Sequence, residues 1–147
     1  KKKWKKIYKQ PHIIIFEGWC VGAMAQKNKD LIKPINILEK KEDTSLIWRN
    51  KVNKELINDY RKIFNKIDRL IFLKVPNFGC VYKWRLLQEK KLQLTSRGKK
   101  IMSDIEMREF IMYYQRITKQ MLKDLTSKAY AVLYLDKKHR FNKIRFN

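Results

Sequence analysis

The sequence predicts an α/β fold, a mostly parallel sheet flanked by helices. Three observations lead there. Short, mostly apolar runs occur at Ile13–Phe16, Leu70–Val75 and Ala129–Leu135, the first of them wholly β-branched and aromatic, the pattern of strands buried on both faces. Amphipathic stretches of helical period lie between them. The resulting order, strand, helix, strand, helical pair, strand, is that of a sheet whose strands are joined by helical crossovers. At 147 residues, 44% hydrophobic and 12% aromatic, the chain holds one domain at most and enough apolar material for a core.

Residues 1–10 form a basic lead-in, and Pro11 ends any helix there. The run Ile13-Ile14-Ile15-Phe16 is followed by Glu17-Gly18-Trp19, which puts an acid at the tip of the first strand. Residues 22–45 are polar, contain Pro34 and read as a long loop with a short helix. Ile47, Trp48, Val52, Leu56, Tyr60, Ile63, Phe64 and Ile67 recur at spacings of mostly three and four, predicting one helix capped by Thr44 or Ser45. Pro76-Asn77-Phe78-Gly79 breaks the second strand. Residues 80–94 read as a helix with Trp84, Leu87 and Leu92 inward, and residues 95–100 as a basic loop.

The longest helix opens at Ser103, with capping-box spacing to Glu106. Its apolar stripe is Met107, Phe110, Ile111, Tyr114, Ile117, Met121 and Leu122. The third strand, Ala129–Leu135, is closed by Asp136-Lys137-Lys138-His139-Arg140.

Several function classes are excluded or weakened by composition. No apolar run reaches the roughly 18 residues that span a bilayer, so no membrane role is expected. Cys20 and Cys80 match no zinc or redox spacing and are expected as reduced thiols in a cytoplasmic protein. His12 and His139 lack a Ser, Cys or Asp partner at an informative spacing, so a catalytic histidine is not expected. The net charge of +22 raises nucleic acid as a partner. Against it, the lysines are spread along the whole chain, and lysine, isoleucine and asparagine are enriched together, as an AT-rich genome would produce. Motifs of the RNA- and DNA-binding modules are also missing. A basic surface would equally suit an enzyme handling ATP and an anionic acid.

In open α/β sheets ligands sit beyond the carboxyl ends of the strands. That rule singles out Glu17-Gly18-Trp19, the segment after Val75 and the loop after Leu135. Glu17 could hold a magnesium water or orient an attacking group in phosphoryl transfer, or it could be a solvated carboxylate. Arg85, in Tyr82-Lys83-Trp84-Arg85, has the fork that suits phosphate oxygens; its plainer reading is an exposed arginine paired with Glu89 one turn on. Trp84 reads more readily as core than as a substrate platform. Arg116 lies on the face opposite most of its helix stripe, which makes a solvated arginine the default. The four glycines, at 18, 22, 79 and 98, begin no Gly-x-x-x-x-Gly-Lys-Ser/Thr motif, whose backbone amides would cradle phosphates.

The order of blocks is informative. Ile13-Ile14-Ile15-Phe16-Glu17-Gly18-Trp19-Cys20-Val21-Gly22-Ala23, Val81-Tyr82-Lys83-Trp84-Arg85-Leu86-Leu87-Gln88-Glu89, Tyr114-Gln115-Arg116-Ile117-Thr118 and Ala131-Val132-Leu133-Tyr134-Leu135-Asp136 together resemble the bacterial glycerate kinase-like family. These are P-loop kinases similar in fold to uridine kinases and phosphoribulokinases. The resemblance runs from Pro11 to about Arg140 and implies transfer of the ATP γ-phosphate to a small hydroxy acid such as D-glycerate, with Mg2+. It implies Glu17 near magnesium or the substrate hydroxyl, Trp19 at the substrate and Arg85 as a lid residue on the phosphates. Arg97 and Arg116 are further candidates on the nucleotide, and Asp136, Lys137 and Arg140 would lie near the adenine. The chain is therefore expected to be one partial domain, residues 1–147, of an incomplete P-loop kinase fold. Its phosphate-binding loop would belong to an N-terminal remainder, and by itself it would be inactive. Without that remainder the apolar faces of the first and third strands would be partly exposed. A P-loop kinase for another small substrate and a basic nucleic-acid-binding module are the competing readings.

Overall fold

The structure is a computed structural model that describes residues 5–95 and 102–147. Its elements are α1 (Asn28–Ile32), α2 (Ile37–Glu42), α3 (Ile47–Ile57), α4 (Asp59–Phe64), β1 (Ile71–Lys74), α5 (Phe78–Thr95), α6 (Asp104–Lys128), β2 (Ala131–Leu135) and β3 (Phe141–Phe146). The strands form one sheet in the order β1-β2-β3. β1 and β2 run parallel, with Ile71 beside Ala131 and Lys74 beside Tyr134. β3 returns antiparallel to β2, with Ala131 beside Phe146 and a register shift at Tyr134/Leu135.

The fold is thus α/β as the sequence predicts, but two features differ. The sheet is mixed, because β3 folds back as a hairpin strand where only a closing turn was expected. Helices also do not cover both faces. Alternation along the strands turns Phe72 and Val132 to one face, where they pack with Met121, Leu125 and Ala129 in the core. Ile71, Leu73, Ile144 and Phe146 lie on the other, and all four are exposed.

The expected first strand is absent. Ile13–Phe16 takes no strand partner and is exposed throughout, Ile13 to 80% and Ile15 to 86%. β-branched content fits a residue to a pleated surface but cannot supply the neighbouring strand that satisfies its backbone.

α6 carries the core and agrees closely with its sequence pattern. Ser103 caps it and accepts from the Glu106 backbone N–H, while the Glu106 carboxylate accepts from the Ser103 N–H at 2.8 Å, a complete capping box. Met107, Ile111, Met121 and Leu125 are buried along its inner face.

The single helix expected over 47–67 is two helices, broken at Asn58, whose φ and ψ of −97° and −91° lie outside the helical region. Nor does its apolar stripe face inward. Ile47, Trp48 and Val52 are exposed, and α3 buries Arg49, Asn53 and Leu56 instead. The reason is polar docking. Asn53 accepts from the Gln26 N–H at 2.7 Å and donates to the Gln26 carbonyl at 3.0 Å. The N-cap position is Leu46 rather than Thr44 or Ser45, and Asp43, outside it, serves the helix start: its carboxylate accepts from the Trp48 and Arg49 backbone N–H groups at 2.9 and 3.1 Å. In the turn before α1, Gly22 adopts φ +81°, and a Cβ there would lie 2.6 Å from the Leu70 side chain, so only glycine fits.

Candidate active site

Three of the places singled out by the strand-end rule converge. A cleft of about 450 Å3 opens between α5, α6 and the end of β1. Trp19, Val75, Arg85 and His139 all line it, so the turn after Glu17, the segment after β1 and the β2–β3 loop meet around one space.

An aromatic chain connects the two residues of greatest interest. Trp19 meets Tyr114 edge-on with ring centroids 4.7 Å apart. Tyr114 packs on Phe110, one helical turn earlier, at 4.9 Å. The Arg85 guanidinium lies 5.8 Å from the Phe110 ring, within cation–π reach. The α6 ridge thereby fixes the spacing between the Glu17-Gly18-Trp19 turn and Arg85.

Arg85 makes the Glu89 pair of its plainer reading and also lines the cleft. It donates to Gln88 Oε1 at 2.5 Å and lies 3.6 Å from the buried Glu89 carboxylate, yet its side chain stays 35% exposed at the cleft. A guanidinium held from behind by a carboxylate and presented to a cleft is preorganised for an anion. Glu17 is exposed just before the turn. Among the described residues no three His, Cys, Asp or Glu side chains group to hold a metal ion, so Glu17 fits magnesium only where the nucleotide supplies further oxygen ligands.

The β2–β3 loop is organised by Asp136. Its carboxylate accepts from the backbone N–H groups of Lys138 and Arg140 at 2.8 and 2.9 Å and from Arg140 Nε at 3.0 Å. The Arg140 backbone hydrogen bond leads the effects that hold its carboxyl below the usual value. His139 takes φ +67° at the turn and stacks on Trp84 with centroids 3.6 Å apart, while Trp84 Nε1 donates to the Lys137 carbonyl at 3.2 Å. Asp136 and Arg140 therefore shape the loop, and Trp84 with His139 carries it to the cleft wall. The sequence pattern gave no role to His139 and read Trp84 as core; a stacking partner 55 residues away in sequence leaves no local signal.

Arg116 lies elsewhere, and it is buried rather than solvated. Its Nε and Nη2 donate to the two oxygens of Glu39 at 2.7 and 2.6 Å. Nη1 reaches the Asp30 carbonyl at 2.9 Å and Gln26 Oε1 at 3.4 Å, and Nη2 the Lys33 carbonyl at 2.8 Å. All five guanidinium hydrogens thus have acceptors, and the residue clamps α1 and α2 onto α6. Arg49, which the sequence did not single out, extends the cluster. It donates from Nε to Asp43 at 2.8 Å and lies 3.7 Å from Glu39. Burial pushes the carboxyls of Glu39 and Asp43 up, but the hydrogen bonds and charges of the two arginines, with backbone N–H donors, bring both below their ordinary values.

Arg97 falls outside the described residues. Cys20 and Cys80 are unbonded, and burial pushes the Cys20 thiol up against a weaker backbone hydrogen bond. No helix among the described residues is long and apolar enough to cross a membrane.

The fold has a counterpart among solved structures. The model superposes on D-glycerate 3-kinase from Cryptococcus neoformans var. grubii with a TM-score of 0.75, at 20% identity, over all of this chain and 54% of that one. The chain shares its fold with about half of that kinase. Over 114 residues the chain is also 39% identical to a Schizosaccharomyces pombe protein named uncharacterized kinase mug58, covering 76% of this chain and 39% of that protein. The chain therefore spans about half of the solved neighbour and about two-fifths of the curated relative. Both are fungal, whereas the sequence resemblance was to the bacterial glycerate kinase-like family. No family model matches the chain.

Proposed function

We propose that this chain is part of an ATP-dependent P-loop kinase that phosphorylates a small hydroxy acid such as D-glycerate. The observation that carries this reading is the convergence of Trp19, Arg85 and the β2–β3 loop on one cleft, in a fold shared with a D-glycerate 3-kinase. Bound ATP would supply the phosphoryl group, with Mg2+ screening its charge. Arg85 would place its fork on the phosphate oxygens, Glu17 would orient a magnesium water or the acceptor hydroxyl, and Trp19 would wall the acceptor site. Lys137, exposed in the β2–β3 loop, would face the nucleotide. The phosphate-binding loop has no counterpart in this sequence. In this reading it comes from the rest of the kinase domain, which packs on the exposed face of Ile71, Leu73, Ile144 and Phe146. The cytoplasm is the compartment proposed.

The test is ADP release by the full-length protein with MgATP and a panel of acceptors led by D-glycerate. Turnover with glycerate supports the reading; turnover only with a nucleoside or another alcohol moves the assignment to a different small-substrate kinase. The net charge of +22 favours one further reading, a nucleic-acid-binding module. Salt-dependent binding to arbitrary oligonucleotides, unchanged by Arg85→Ala and without ADP release, would select it.

A further inference from the structure

Thr118 is 8% exposed on the inner face of α6 and lines the cleft, and among the described residues its hydroxyl has no hydrogen-bond partner. A buried helical threonine ordinarily returns its hydroxyl to the carbonyl one turn earlier. Part-buried Thr126 does so to Leu122 at 2.8 Å, and even exposed Thr95 does so to Lys91 at 3.2 Å. Thr118 leaves that partner unused, and a buried hydroxyl without a partner is costly. Phe72, Met121 and Leu122, which line the same cleft, are apolar and offer it nothing. Arg85 supplies positive charge to the same cleft, and Trp19 lines it too.

We infer that the Thr118 hydroxyl is the specificity-determining anchor of the acceptor ligand, a small hydroxy acid whose hydroxyl or carboxylate completes its hydrogen bonding. The inference rests on the kinase reading above and adds a residue to it. A ligand of this class has two polar ends. One meets Thr118 in the apolar part of the cleft, and the anionic products of transfer lie toward Arg85. Thr118 can donate to a carboxylate or accept from an alcohol, so it recognises the acceptor in either orientation. An analogue without that group would leave both partners unpaired, which is how a buried polar contact discriminates between substrates.

The experiment compares wild type, Thr118→Val and Thr118→Ser in the full-length protein, reading the KM for D-glycerate, the KM for MgATP and the thermal midpoint. Valine keeps the shape and removes the hydroxyl. The expected result is a rise in the glycerate KM on the order of tenfold for valine, recovery with serine, an unchanged ATP KM, and a midpoint that holds or rises for valine, since the free protein no longer buries an unpaired hydroxyl. An unchanged glycerate KM in an active valine variant overturns the inference while leaving the kinase reading intact. So does a fall in midpoint with both KM values unchanged, since the hydroxyl would then be satisfied by another part of the protein. Equal rises in both KM values also overturn it. A wild type that phosphorylates no hydroxy acid removes the kinase reading and this inference with it.

Discussion

Glu39 and Arg116 form a two-pronged ion pair, 2.7 and 2.6 Å, between residues 77 apart in sequence and both nearly buried. The pair joins α2 to the middle of α6, and through Glu39 it reaches Arg49 at 3.7 Å. Removing one partner strands a buried charge, which typically costs about 3–5 kcal/mol. Arg116→Met and Glu39→Gln should each lower the unfolding free energy from denaturant melts by an amount in that range. Arg116→Lys should recover only part of the loss, because a lysine cannot reach the acceptors that the fork holds together. Loss of under about 1 kcal/mol on removal of either partner would mean that the pair behaves as an exposed one.

The same cluster fixes the acid limb of stability. Glu39 and Asp43 titrate below their ordinary values of 4.5 and 3.8 in the folded chain. The unfolded chain therefore binds more protons through the carboxylate range. The stabilisation is fully present above those ordinary values and is lost as pH falls through the lower, folded ones. Denaturant melts taken from pH 7 down to pH 3 should show a plateau and then a fall. Glu39→Gln should flatten the fall, and an unchanged slope would remove Glu39 from the account.

Arg85 separates binding chemistry from folding. Arg85→Lys keeps a cation beside Glu89 but loses the planar fork at the cleft. In the full-length protein it should cut turnover on the order of a hundredfold while leaving the midpoint nearly unchanged. A variant that melts early yet turns over normally would make Arg85 a partner for Glu89 and nothing more.

Trp84 is the hinge pin of the β2–β3 loop. It stacks on His139 and donates to the Lys137 carbonyl at 3.2 Å. Trp84→Leu should release the loop at a cost of about 1 kcal/mol, read as faster amide exchange at Lys138 and Arg140. If Asp136 alone orders the loop, exchange there will not change.

Much of this architecture is legible in the sequence, and the failures share a cause. The α6 stripe, its capping box, β1 and β2 follow from local pattern, since each residue's burial is decided by one amphipathic face. α3 defeats the same reasoning because its buried face is polar: Arg49 and Asn53 go inward only once Asp43 and Gln26 are folded against them. Arg116 was read as solvated for the same reason, its acceptors coming from segments roughly 80 residues away. Ile13–Phe16 has a strand's composition but finds no strand beside it. At the cleft, the sequence singled out Trp19 and Arg85, while His139 and Thr118 acquire meaning only from what lies across the gap.

The exposed run Ile13–Phe16 also bears on how the chain behaves in solution. Four consecutive exposed β-formers outside any strand are a template for strand addition between molecules. The basic residues just before them, Lys5, Lys6 and Lys9, sit where gatekeeper charges that oppose such pairing are placed. Colloidal stability thus depends on the same positive charge that invites a nucleic-acid reading. Near 1 M salt, where the screening length shrinks to about 3 Å, that repulsion fades and the chain should begin to self-assemble through this edge.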